Sequence, residues 1–372
     1  MKSFIMPIKS PGLLPLLMLL LLSLVAACTS PTTSQAEQGD YRVVRDMLGR
    51  EVKVPQHSTR IVGLGAGAVR LLVYLEASER LSGIEEMERR PGRPYWHAQK
   101  HLRALPQVGP SHGGDPELLA HNAPDLLVFS NASRQQAERL QQLTKIPVVV
   151  LTPGDLLQGR EQFNQAIALL ADVLGKQERG DRLLSFIDQQ IGELQALAAG
   201  QAAGEIPSVY LGGVSFSGAR GLSSTLPQYE AFTWLGLKQP AAVLAQKDPS
   251  RSNRVLSIDP EQLLVWQPDY LFIDAAGLHL SQEDLRPEAP LPQLLAAFAD
   301  DRVHTLMPHN FYATNYENLL INAWFTASVV FPGGLSQGDF EQRRGEIYRF
   351  FLGTDVSEDL LQIYPAWQKL KH

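Results

Sequence analysis

The chain has 372 residues, 44% of them hydrophobic and 19% charged. That length suits two domains or lobes around a sizeable core and argues against wholesale disorder. The formal net charge of −6, from 39 acidic and 33 basic residues, argues against a nucleic-acid partner bound by phosphate neutralisation. One cysteine excludes an internal disulfide and any cysteine-rich zinc or iron–sulfur centre.

That cysteine, Cys28, follows a basic start (Lys2, Lys9) and an apolar run from Leu13 to Ala27 that ends Leu24-Val25-Ala26-Ala27. The run is shorter than the ~20 residues of a spanning helix. Basic, apolar and small-residue regions in that order describe an export signal over 1–27. Small residues directly before Cys look like a bacterial lipobox, in which the Cys is acylated and becomes the mature N-terminus. A plain signal peptide with an incidental Cys is the alternative. Residues 28–40 are polar and Ser/Thr-rich, as expected of a flexible tether to a membrane. Loss of Lys2 and Lys9 with the signal takes the formal charge from −6 to about −8.

The body alternates strands and helices. Arg60–Leu64, Asp125–Ser130 and Pro147–Leu151 read as buried strands, with helices over Ala68–Leu75 and Ser133–Leu143. This predicts a first α/β lobe over 41–160 with a mainly parallel sheet. From Glu161 to about Ala199 apolar residues recur at helical spacing without proline, which predicts one long connecting helix over 161–204, bent near Gly175 or Gly180. A second α/β lobe, 205–372, has strands at Pro207–Leu211 and Asp269–Asp274 and helices over Asn315–Phe331 and Phe340–Phe351.

A repeat links the lobes. Pro116-Glu117 opens a short helix that ends at Pro124-Asp125 before a strand; Pro260-Glu261 does the same before Pro268-Asp269. Proline suits a first helical turn and a helix end. Two pseudo-equivalent α/β lobes flanking a helix follow from this.

With these segments in their order, the sequence over about 41–365 resembles the binding lipoproteins of ABC importers for ferric siderophores, haem and cobalamin. The stretch Asp46–Pro55 is similar to that family's first hairpin. Tyr210–Phe216, Gly221–Thr225 and Glu346–Gly353 resemble segments of its iron-transport branch. The resemblance implies two Rossmann-like α/β lobes joined by one backbone helix, a ligand cleft between them, and little hinge motion. It also implies a protein that does no covalent chemistry. It would bind an iron chelate, a ferric siderophore first and haem or cobalamin as alternatives. It would work as a monomer on the outer face of the membrane or in the periplasm. Its partner would be a permease dimer with ATPase subunits, met by one exposed glutamate per lobe, Glu117 and Glu261, through arginines. Acidic residues also favour first helical turns for dipole reasons, so the two roles coexist.

Loops at strand ends should line the cleft. The candidates are Arg93, Tyr95, Trp96, His112 and Asn131 in the first lobe, and Phe216, Arg220, His309, Tyr312 and Asn315 in the second. The aromatics would wall a large ligand, and the arginines would meet a carboxylate or an anionic chelate. His112 and His309 are candidate iron ligands, although no metal-ligand spacing such as HExxH supports direct ligation. Gly63–Ala68 matches GxGxxA after a strand, with Glu85 about 20 residues on, a dinucleotide fingerprint on paper. Export and the charged, Pro-rich stretch after Glu85 count against an oxidoreductase. Gly213-Val214-Ser215-Phe216-Ser217 lacks the final glycine of G-x-S-x-G, and there is no P-loop. A scaffold or adhesin lipoprotein would leave the paired glutamates unexplained.

Overall fold

The computed structural model describes Met1 and residues 41–371, apart from 202–204, 216–217, 247, 253 and 332. The signal segment, Cys28, the tether and Phe216 lie outside the described residues. Arg42–His372 forms one compact unit.

Strands β1 (Tyr41–Arg45) and β2 (Glu51–Pro55) pair as a two-stranded ribbon. Asp46 closes its turn and holds the buried Arg50 guanidinium at 2.7 Å. Arg50 also donates to the carbonyl of Val148, which pins the ribbon to the first lobe.

The first lobe continues with β3 (Ile61–Leu64), α1 (Ala68–Tyr74), β4 (Leu81–Gly83), α2 (Pro94–Ala98), α3 (Pro116–Asn122), β5 (Leu126–Ser130), α4 (Arg134–Thr144) and β6 (Val148–Leu151). Its sheet is parallel in the order β4-β3-β5-β6. Every residue of these four strands is buried, as expected when helices cover both faces.

The expected single helix over 161–204 is two helices, α5 (Arg160–Leu174) and α6 (Gln177–Gly200). Gly175 takes a left-handed φ of 65°, and Lys176 N–H reaches back to the Ala171 carbonyl at 2.7 Å, a helix stop that glycine favours. The chain then folds back: Arg160 at the start of α5 pairs with Asp188 of α6 at 2.7 Å. Gly180 permits the close crossing, since a Cβ there would sit 2.8 Å from that of Ala171. The helix that joins the lobes is therefore α6 alone. Hydrophobic periodicity runs unbroken across the turn because both helices bury a face in the same core.

The second lobe contains β7 (Val209–Gly212), β8 (Ser224–Thr225), α7 (Glu230–Trp234), β9 (Leu256–Ser257), α8 (Glu261–Trp266), β10 (Tyr270–Asp274), β11 (Val303–Leu306), α9 (Tyr316–Val330), α10 (Gln337–Leu352) and β12 (Gln368–Lys369). Its main sheet runs β7-β10-β11-β12, with β12 antiparallel at the edge. Helix α9 is apolar around most of its circumference and almost wholly buried.

The repeat is structural. The parallel trio β3-β5-β6 has the order of β7-β10-β11. Asp125 accepts the Thr59 N–H at 2.7 Å just before β3, and Asp269 accepts the Ser208 N–H at 2.7 Å just before β7. Asp115 and Asp259 accept the N–H groups of Glu117 and Glu261 at 2.9 and 3.0 Å. Both short helices end on a left-handed residue, Ala123 or Gln267, and both bury one leucine, Leu119 or Leu263.

Candidate functional site: the cleft between the lobes

The C-terminal strand ends of both lobes face a shared cavity of about 380 Å³. The loop after β6 brings Thr152, Gly154 and Asp155 to it, the tip of β5 brings Asn131, and α5 brings Gln162. The second lobe supplies Gln228 and Glu230 at the start of α7, and His309, Asn310 and Thr314 after β11. Val214, Leu226 and Val255 give an apolar portion. A second cavity of about 310 Å³ shares Asn131 and adds His112, Ser130 and Gln136. Such strand-end crevices are where open α/β sheets bind ligands.

The larger cavity is acidic. Burial pushes the Glu230 carboxyl up to about 7, and the nearby Asp155 charge adds to the rise. Glu230 is buried, and its own backbone N–H opposes the rise. Burial also pushes Asp274 up to about 7, although Ala276 N–H opposes the shift. Asp274 lies behind His309, whose Nδ1 is 4.0 Å from its carboxylate. Burial lowers His309 to about 4, so its ring is neutral near pH 7. No Lys or Arg lines this cavity among the described residues.

A strap from the second lobe, residues 309–315, crosses to the first. His309 O accepts the Asn315 N–H at 2.7 Å, and Tyr312 and Ala313 take left-handed φ values. The buried Arg70 of α1 clamps it, donating to the carbonyls of Phe311 and Tyr312 at 2.9 and 3.1 Å and to Asn315 Oδ1 at 3.1 Å. The Tyr312 hydroxyl donates to Glu85 at 2.7 Å and accepts the His112 N–H at 3.1 Å.

Glu85 also accepts the N–H groups of Gly65 and Gly113 at 2.9 and 2.7 Å. The acid of the dinucleotide-like fingerprint is thus spent on its own glycine loop. A Cβ at Gly65 would fall 2.5 Å from the Ser130 carbonyl, which explains the glycine by backbone approach.

The other expected residues divide. Asn131 and His309 line the larger cavity, and His112 lines the smaller one. Tyr312 and Asn315 serve the strap. Tyr95 and Arg93 do not wall the cleft. Both are fully buried in the first lobe, where the Tyr95 hydroxyl donates to Glu88 at 2.6 Å and Arg93 lies over the Tyr95 and Phe311 rings. Trp96 stacks under Arg103, 3.8 Å from its ring centre, and Arg220 is exposed; neither lines the two cavities. Glu117 and Glu261 are exposed on the first turns of α3 and α8. Asp155, Gln228, Glu230, Arg70 and Glu85's bridging role escaped sequence reading. Only Pro153-Gly154-Asp155, a turn directly after a buried strand, offered a signal.

A family model described as "Periplasmic binding protein" matches residues 61–308. The chain belongs to that family. The molybdate-binding protein MolA of Haemophilus influenzae is 22% identical over 369 residues, covering 91% of this chain and 98% of that protein. Its molybdate-bound structure, described as the cognate periplasmic binding protein of an ABC transporter, aligns with a TM-score of 0.65 at 18% identity, covering 84% of this chain and 98% of that one. A periplasmic solute-binding protein from Veillonella parvula aligns at 0.67 and 16% identity, covering 88% and 97%. A haem-binding protein, HmuT, aligns at 0.52 and 16% identity, covering 87% and 93%. The protein is a periplasmic solute-binding protein with two α/β lobes, and the relatives it matches are solute-binding proteins rather than enzymes.

Proposed function

We propose that this protein is a lipid-anchored receptor, acylated at Cys28, that captures an iron chelate between its lobes and delivers it to its permease through Glu117 and Glu261. The observation that carries the reading is the polar inter-lobe cavity of about 380 Å³, a volume in the range of organic ligands. No cluster of three metal-ligating side chains occurs among the described residues, so a preformed chelate fits the cleft better than a bare ion. The matching surroundings of the exposed Glu117 and Glu261 support the docking role: each sits one residue after a proline in a first turn held by an aspartate. Carboxylates so presented suit paired arginines on a partner.

A second reading, molybdate, is favoured by the likeness to MolA across 91% of the chain. A third, haem, has the HmuT alignment behind it.

Titration of the full-length protein with a ferric hydroxamate, haem, cobalamin and molybdate, followed by tryptophan fluorescence, separates these. Trp234 lies on α7, the helix that carries Glu230, so an iron chromophore in the cleft should quench it. Saturable quenching by the ferric hydroxamate supports the proposal. A response to molybdate or haem alone overturns it in favour of that ligand.

A further inference from the structure

We propose that the cleft selects an iron chelate of neutral or positive charge, the ferric hydroxamate class, and rejects polyanionic chelates through Glu230 and Asp155. This rests on the reading of the cleft as an iron-chelate site and names the class of chelate.

Asp155 from the first lobe and Glu230 from the second both line the larger cavity, and no Lys or Arg lines it among the described residues. His309, beside them, is buried and neutral. The two carboxylates are held by different means. Asp155 is fixed by the N–H groups of Leu157 and Gly159, each at 2.8 Å, while Glu230 is buried at the first turn of α7. A negative ligand entering between them meets like charge, with Glu230 contributing fully only above about pH 7, in a partly desolvated space where repulsion is screened less than in water.

Three monoanionic hydroxamates cancel the charge of Fe(III) and leave a neutral core. Three dianionic catecholates leave a trianion. The neutral core presents carbonyl and N–O oxygens, which match amide donors on the walls: Asn131 and Gln162 from the first lobe, Gln228 and Asn310 from the second. A pendant ammonium would find Glu230 and Asp155. The arginines expected to meet an anionic chelate lie elsewhere, with Arg93 buried beside Glu88 and Arg220 outside the lining.

The test uses chelates that differ mainly in charge: monocationic ferrioxamine B, its neutral N-acetyl form, and a trianionic ferric tris-catecholate. Each is titrated into the full-length protein and into Glu230→Gln and Asp155→Asn, which keep the shape of the site. The proposal expects both hydroxamates to bind at least ten-fold more tightly than the tris-catecholate. It also expects each variant to narrow that gap, chiefly by strengthening the trianion and in smaller part by weakening the monocation. The neutral form should change less between the native chain and the variants than either charged chelate does. Equal affinity for all three chelates, or preference for the trianion, overturns the charge assignment and leaves the iron-chelate function standing. Binding of molybdate with no response to any iron chelate overturns the function itself, and the charge assignment with it.

Discussion

The hydroxyl of Tyr312, on the second lobe, donates to the buried carboxylate of Glu85, on the first, at 2.7 Å. Together with the Arg70 clamp it holds the strap across the lobe junction. Tyr312→Phe removes one of three donors to Glu85. Leaving that carboxylate oxygen short of a partner should cost about 1–3 kcal/mol and push the Glu85 carboxyl, already raised by burial, higher still. The expected result is a lower Tm and faster amide exchange over 309–315. An unchanged Tm with unchanged exchange would show that the strap is held by Arg70 alone.

The two lobes should also answer alike to mutation of their repeat. Asp125→Ala and Asp269→Ala each strip the cap from the N–H before the first strand of a sheet. Each should lower stability by about 1 kcal/mol in denaturant unfolding. A large effect at one position and none at the other would make the repeat a likeness of sequence only.

Much of this was legible in the sequence because it follows from local rules. The Pro-Glu and Pro-Asp boundaries place α3, α8 and the strands after them, and uninterrupted apolar runs mark buried parallel strands. The break at Gly175 was hidden because α5 and α6 bury faces in one core, so the periodicity carries across a turn. The cleft lining was less legible. Tyr95 and Arg93 sit at the start of α2 in a stretch rich in binding-type residues, but Glu88 pairs with both and Arg70 lies over the Tyr95 ring, inside the first lobe. Glu230 and Asp155 come together only through the tertiary fold.

The buried Asp274 makes stability depend on pH. Its folded carboxyl titrates at about 7, well above the ordinary carboxylate range, so the folded state keeps its proton after the unfolded chain has lost it. Its contribution is present in acid and is lost as pH rises through about 7. The groups that face it are the neutral His309, Tyr229 and Tyr364. His309 and His304, both lowered to about 4, act in the opposite sense below their ordinary value, so the isolating measurement is a difference between proteins. Asp274→Asn keeps an acceptor for Ala276 N–H and removes the buried charge. Its advantage over the native chain should be larger at pH 8 than at pH 5, by on the order of 1–3 kcal/mol. A constant offset at both pH values would contradict the assignment.

Docking should be separable from binding. Glu117→Arg with Glu261→Arg reverses charge at two exposed positions that do not line the cleft. Transport in cells should fall to background, while chelate affinity of the purified protein stays as it was. Lost affinity with normal transport would sink the docking role.

On the proposed reading, ligand sits between the lobes, against both walls of the larger cavity. Hydrogen-exchange mass spectrometry on the full-length protein, with and without saturating monocationic ferric hydroxamate, tests it most directly. Added protection is expected over 152–162 in the first lobe and over both 226–230 and 309–315 in the second, with little change at α3 and α8. Protection confined to one lobe, or centred away from these segments, would contradict it.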